Sequence, residues 1–109
     1  MSRSKGAEGE ERACDFLRTG GFDIIDRNVH SRFGEIDIIA LKEGVLHFIE
    51  VKSGVSYDAA IRNITPQKLD RILKTVQSYM KQHQLDLDYM IDAVVVTPET
   101  PRLLENITL

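Results

Sequence analysis

Three carboxylates and one amine collect at the open end of an otherwise apolar run, "GEIDIIALKEGVLHFIEVKS", residues 34–53. They are Glu35, Asp37, Glu50 and Lys52. Carboxylate oxygens are the ligands that hard divalent cations prefer, and a lysine beside them offsets their mutual repulsion. The set can therefore serve as a metal site or as a cluster of ion pairs. Which it is depends on the elements that position it.

The run reads as two alternating strands joined by a tight turn at Glu43-Gly44. A two-residue turn there sets Asp37 opposite Glu50, Glu35 opposite Lys52, Ile39 opposite Phe48 and Leu41 opposite Leu46. With a period of two, all eight share one face, apolar near the turn and charged at the open end. The other face pairs Ile36 with Val51, Ile38 with Ile49 and Ala40 with His47, and reads as core. Opposed β-carbons lie about 5 Å apart, so Asp37 and Glu50 repel. One reading is a solvated hairpin with Glu35–Lys52 as a cross-strand ion pair, worth under about 1 kcal/mol. The other is a cation held between Asp37 and Glu50. Geometry leaves both open.

Around this hairpin, "GEERACDFLRTGG" predicts a helix stopped by Gly20-Gly21, with Glu8, Glu10 and Glu11 near its positive N-terminal end. "FDIIDRN" predicts a short strand, and "VHSRF" a polar stretch leading into the hairpin. "SGVSYDAAIRN" reads as an irregular loop. "TPQKLDRILKTVQSYMKQH" predicts a helix with Thr65 as N-cap, Pro66 in its first turn and Leu69, Ile72, Leu73, Val76, Tyr79 and Met80 as its apolar stripe. "YMIDAVVVT" predicts a buried strand, and "LLENITL" a weaker last strand or tail. The order implies one α/β domain over residues 1–109, a small mixed sheet with helices on its faces.

The chain has 109 residues, 42% hydrophobic and 28% charged, ordinary for a globular domain. No apolar run is long enough to cross a bilayer, and "MSRSKGAEGEERA" does not read as a secretory signal. The single Cys14 forms no internal disulfide, in keeping with a reducing, cytoplasmic setting. A net charge of −3 argues mildly against broad nucleic-acid binding, but charge is unevenly placed. From Pro66 to His83 the only acid is Asp70, set against Lys68, Arg71, Lys74 and Lys81.

Asp37 followed by Glu50-Val51-Lys52 on the next strand resembles the PD-(D/E)XK motif of restriction-endonuclease-like nucleases. "GAEGEERACDFLRTGGFDIIDRN", "GEIDIIA", "FIEVKS" and "ITPQKLDRI", in this order, resemble the YraN-like family of predicted nucleases, related to archaeal Holliday-junction resolvases. The likeness runs from about Gly6 to the C-terminus. It implies a restriction-endonuclease-like mixed sheet of four to five strands flanked by helices. It also implies Mg²⁺- or Mn²⁺-dependent cleavage of DNA, with branched or single-stranded intermediates as substrates. Carried over, Asp37, Glu50 and the Val51 carbonyl hold the metal, Lys52 is the catalytic lysine, and Glu10 is the acid brought from the first helix. Ile36 stands where the motif's proline would be, a position that does no chemistry.

Glu35 takes a supporting role, as an extra metal or water ligand or as the partner of Lys52. Glu10 falls in phase with Cys14 and Leu17 on the packed side of its helix, where an idle carboxylate is costly; a favourable first-turn charge is the plainer alternative. Lys68 and Arg71 are candidates for phosphate contact at a helix start, or members of a solvated face. Arg27, Asn28 and Arg32 flank the site and are candidates to position a nucleic-acid backbone, or serve loop solubility. His30, His47 and His83 lack ligand spacing. A domain this small offers little surface to grip a junction, so a homodimer is expected. The rival to an endonuclease is a non-catalytic module of the same fold that binds DNA or RNA.

Overall fold

The computed structural model describes residues 3–108. In chain order the elements are α1 (Arg3–Thr19), β1 (Asp23–Ser31), β2 (Gly34–Lys42), β3 (Val45–Ser53), α2 (Tyr57–Ile61), α3 (Pro66–Gln82), β4 (Tyr89–Val96) and β5 (Arg102–Leu104). The five strands form one sheet in the order β1-β2-β3-β4-β5. Only β3 and β4 run parallel, joined by the crossover through α2 and α3; the other neighbours are antiparallel. This is the mixed, helix-flanked sheet expected from the sequence.

Each sheet face is covered by one long helix, which is why β2, β3 and β4 are apolar on both sides. On one face, Ala13, Cys14 and Leu17 of α1 pack on Ile38, Ala40, Ile49, Val94 and Val96. On the other, Ile72, Val76 and Tyr79 of α3 pack on Ile36, Ile39, Leu46, Phe48 and Ile91. Burying a side chain such as Leu17 or Phe48 contributes about 1.5–3 kcal/mol, so these two layers hold the scaffold.

Local signals set the element ends. The Thr65 hydroxyl accepts from Lys68 N at 3.2 Å and starts α3, with Pro66 in its first turn, as the sequence predicts. Helix α1 stops in a Schellman arrangement, Phe22 N donating to Leu17 O and Gly21 N to Arg18 O, with Gly21 left-handed at φ 89°. Glu43 (φ 51°) and Gly44 (φ 79°) make the two-residue turn between β2 and β3. A side chain at Gly9 would bring its Cβ 2.6 Å from Ser53 Oγ, so α1 lies hard against the end of β3 and carries Glu10 there.

Two local expectations change. "VHSRF" is not a polar lead-in: Val29, His30 and Ser31 extend β1, and Arg32-Phe33 turn it into β2. An edge strand needs only one buried face, so polar residues do not exclude it, and ladder partners Glu35 and Gly34 decide it. "SGVSYDAAIRN" contains α2, started by the Ser56 hydroxyl accepting from Ala59 N and anchored by buried Ala60. No helix among the described residues is long and apolar enough to cross a membrane.

Candidate functional site

The β2–β3 ladder runs from Lys42↔Val45 to Ile38↔Ile49 in the register expected of the two-residue turn, and it ends there. Past that point the strands part. The Asp37 carboxylate fills the fork: its Oδ2 accepts from the main-chain N of Val51 at 2.8 Å. Asp37 therefore does not face Glu50 across a regular ladder. A residue's N–H and C=O leave the same edge of a strand, so the Val51 carbonyl also faces the fork, beyond the last ladder pair.

Strict alternation fails at the same place. Ile36 and Ile39 both pack toward α3, which leaves Asp37 and Ile38 both on the α1 side. Ile36 thus belongs to the core opposite the one expected. On β1, Arg27 pairs with Ile38 and Val29 with Ile36, and between them Asn28 is left-handed at φ 52°. Asn tolerates this conformation better than most residues. Arg27 and Asn28, neighbours in one strand, both reach toward α1.

There they meet Glu10. Its Oε1 accepts from Arg27 Nε at 3.1 Å and Asn28 Nδ2 at 3.1 Å, with Arg27 Nη2 at 3.0 Å. Arg27 Nη1 also donates to Glu11 at 2.7 Å, so this guanidinium is engaged by α1. Because α1 begins at Arg3, Glu10 sits mid-helix, and the favourable first-turn charge does not apply to it. Its packed-side phase holds, since Gly9, Ala13, Cys14 and Leu17 are buried around it. Glu10, Arg27, Asn28, Glu35, Asp37 and Val51 line one open cleft of about 620 Å³.

Glu50 and Lys52 are in phase with Phe48 and leave β3 on the α3 side. They form an ion pair, Lys52 Nζ to Glu50 Oε1 at 3.3 Å, both side chains largely withdrawn from water. Lys68, from the first turn of α3, approaches them closely enough that the Lys52 charge, first, and then the loss of solvent lower its pKa. Arg71 packs by its Cβ near Gly34 and adds its charge beside Lys68. Glu35 does not pair with Lys52: its partner is His30, Oε2 to Nδ1 at 3.1 Å, both exposed. Arg32 lies exposed at the β1–β2 turn, its guanidinium 4.9 Å from the Phe33 ring centre.

The two central carboxylates are in electrostatic conflict. Burial first, and the Glu50 charge second, push Asp37 up to about 7, against the hydrogen bond from Val51 N. Burial also raises Glu50, offset by Lys52. Asp37 Oδ1 and Glu50 Oε2 have no hydrogen-bond partner among the described residues. A divalent cation suits this donor set, because it would supply the charge that two desolvated carboxylates lack. Among the described residues, no three His, Cys, Asp or Glu side chains close on one point.

Sequence reading did not find the grip of Asn28 and Arg27 on Glu10. Its one visible signal is an asparagine inside a strand-like run. The fold brings Glu10, Asp37 and Glu35 into one cleft and Glu50, Lys52, Lys68 and Arg71 beside the same fork. Arg32 stands apart at the turn.

A family model described as an uncharacterised protein family, UPF0102, matches residues 9–96. The chain belongs to the UPF0102 family. A UPF0102 protein of Sulfurimonas denitrificans is 55% identical over 109 residues, covering all of both chains. One of Helicobacter pylori strain HPAG1 is 55% identical over 106 residues, 97% of this chain and 92% of its own. One of Wolinella succinogenes is 51% identical over the whole of both. UPF0102 is the YraN-like family that the sequence motifs resemble. The UPF0102 match spans Glu10 to the end of β4 and so includes every candidate site residue.

Proposed function

We propose that the protein is a divalent-metal-dependent endonuclease of the PD-(D/E)XK superfamily, hydrolysing phosphodiester bonds in DNA. The observation that carries this reading is Asp37 at the fork, desolvated beside the charge of Glu50, which Lys52 and Lys68 attend from the α3 side. Lys52 offsets Glu50, but Asp37 is left beside a like charge, and among the described residues one oxygen of each acid has no hydrogen-bond partner. Such conflicts cluster where charge is to be bound or moved.

Asp37, Glu50 and the Val51 carbonyl would hold Mg²⁺ or Mn²⁺, which when bound lowers the pKa of a ligated water and neutralises phosphate charge. Lys52, fixed by Glu50, places its ammonium beside the carboxylates, where it orients the attacking water and offsets charge growing on the phosphate oxygens. Glu10 accepts a hydrogen bond from water in the cleft rather than touching the metal. The water oxygen bonds to phosphorus as it gives up a proton to solvent, the bond to the leaving oxygen breaks, and that oxygen takes up a proton from solvent in turn. Lys68 and Arg71, with Arg32 at the turn, contact backbone phosphates on the α3 side. Arg27 is engaged by Glu10 and Glu11 and acts by holding Glu10 rather than by contacting phosphate. A cytoplasmic homodimer acting on branched or single-stranded DNA fits the small size of the domain.

A second reading is a binding module for DNA or RNA that does not cut. The observation in its favour is that no three acidic or imidazole groups converge among the described residues. One experiment separates the two: labelled single-stranded, duplex, flap and four-way-junction DNA, and RNA, incubated with Mg²⁺ or Mn²⁺. Endonuclease function predicts cutting that EDTA abolishes and that Glu50→Ala and Lys52→Ala each reduce at least about a hundredfold. Metal-independent binding without cleavage, unchanged in Asp37→Ala, establishes the binding module.

A further inference from the structure

We propose that the Arg27-Asn28 step of β1 is a positioning device for Glu10, in which Asn28 accepts a left-handed backbone so that two adjacent side chains grip one oxygen of that acid. This rests on the nuclease reading above. In a regular strand, neighbouring side chains leave on opposite faces, so Arg27 and Asn28 could not both reach α1. They do, through φ 52° at Asn28, and their three contacts with Glu10 all fall on Oε1 at 3.0–3.1 Å. Glu10 Oε2 has no partner among the described residues, and it lies in the cleft that Asp37 lines.

Docking α1 on β1 does not require this arrangement. Arg27 already binds Glu11 at 2.7 Å, a contact in which Asn28 takes no part. The second grip, with its left-handed backbone, goes beyond tying β1 to α1: by meeting one oxygen from two sides it fixes the rotation of the Glu10 carboxylate. Local strain that the fold maintains is a mark of functional positions. Asn28 also lies across from Asp37, between the pairs Arg27↔Ile38 and Val29↔Ile36, where β2 loses its own alternation. One irregularity shared by two strands thus aims both acids into the same cleft. Asn28 and Arg27 act on the reaction through Glu10, holding its free oxygen where a metal-bound water would donate to it.

The test is Asn28→Gly in the full chain, which preserves the left-handed backbone and deletes only the amide. Two quantities are read: the melting temperature of the metal-free protein, and Mn²⁺ affinity by titration calorimetry. The expected result is a melting temperature at or above that of the wild type with Mn²⁺ affinity about tenfold weaker, the usual cost of losing a group that orients a metal site. Asn28→Ala should melt lower, because alanine resists the backbone, and show the same loss of affinity. A glycine variant that binds Mn²⁺ as the wild type does, or that melts well below it, overturns the proposal by showing a structural role. A wild-type chain that takes up no Mn²⁺ overturns the nuclease reading and this inference together.

Discussion

Asp37 and Asp92 are both carboxylates withdrawn from water, on strands that flank β3, and the chain treats them in opposite ways. Asp92, fully buried, has both oxygens engaged: Oδ2 with His47 Nδ1 at 2.6 Å, Oδ1 with the main-chain N of Asn106 at 2.8 Å. The Phe22 ring stands edge-on to His47, its centre 4.9 Å away, and closes the pair from solvent. Among the described residues Asp37 has one donor, Val51 N, and it has a like charge for a neighbour. The first arrangement fastens the C-terminal segment to the sheet. The second holds a conflict open, and a bound cation is what would relieve it. A fully buried acid with both oxygens satisfied marks architecture; a half-buried acid with one oxygen open to a cleft marks a candidate site.

The contrast can be broken most sharply at Asp92. Asp92→Ala removes the partner of a buried imidazole and the acceptor for Asn106, and should cost about 3–5 kcal/mol by denaturant unfolding. A loss below about 1 kcal/mol would mean that the satisfied pair is not holding the fold.

Asp37→Asn should do the reverse. The folded protein holds a proton on Asp37 up to about pH 7, whereas the unfolded chain releases it near 3.8. Between those values the native state binds more protons, so stability falls as pH rises through that window. The whole effect is at most about 4 kcal/mol for one group, and a gain of about 1–3 kcal/mol at pH 8 is expected for the metal-free variant. Asn can still accept from Val51 N. The gain should shrink as pH falls toward 4, and Mn²⁺ should raise the melting temperature of the wild type but not of the variant. A variant less stable than the wild type at pH 8 would remove the conflict from the explanation.

Smaller effects sharpen the α3 side. Thr65→Ala deletes the cap that starts the helix and should cost about 1 kcal/mol in chemical unfolding. Lys68→Ala should weaken nucleic-acid binding evenly across sequences and reduce the slope of log affinity against log salt by about 1. An unchanged slope would place Lys68 on an idle solvated face.

Much of this was readable from residues alone. The two-residue turn at Glu43-Gly44 set the ladder register from Lys42 to Ile38, and Thr65-Pro66 set the start of α3. The packed-side phase of Glu10 was visible in its spacing from Cys14 and Leu17. What failed were expectations that depended on a neighbouring strand. Period-two reasoning put Ile36 in the α1 core and Glu35 against Lys52, because nothing within β2 reports the left-handed Asn28 beside it. His30 became the Glu35 partner only once "VHS" was drawn into β1. The helix start at Arg3 was hidden because Gly6 and Gly9 weaken a helical pattern, and Gly9 is there for the close approach of Ser53.

The break in β1 has an outward consequence as well. β1 is a nine-residue edge of the sheet, the kind of free edge on which another chain can add a strand. A register shift at Ile24/Asp26 and the left-handed Asn28 interrupt its row of main-chain donors and acceptors twice. The distortion that turns side chains inward thereby spoils the outer rim as a template for fibre growth. The β1 edge is thus a poor place for two copies to join their sheets.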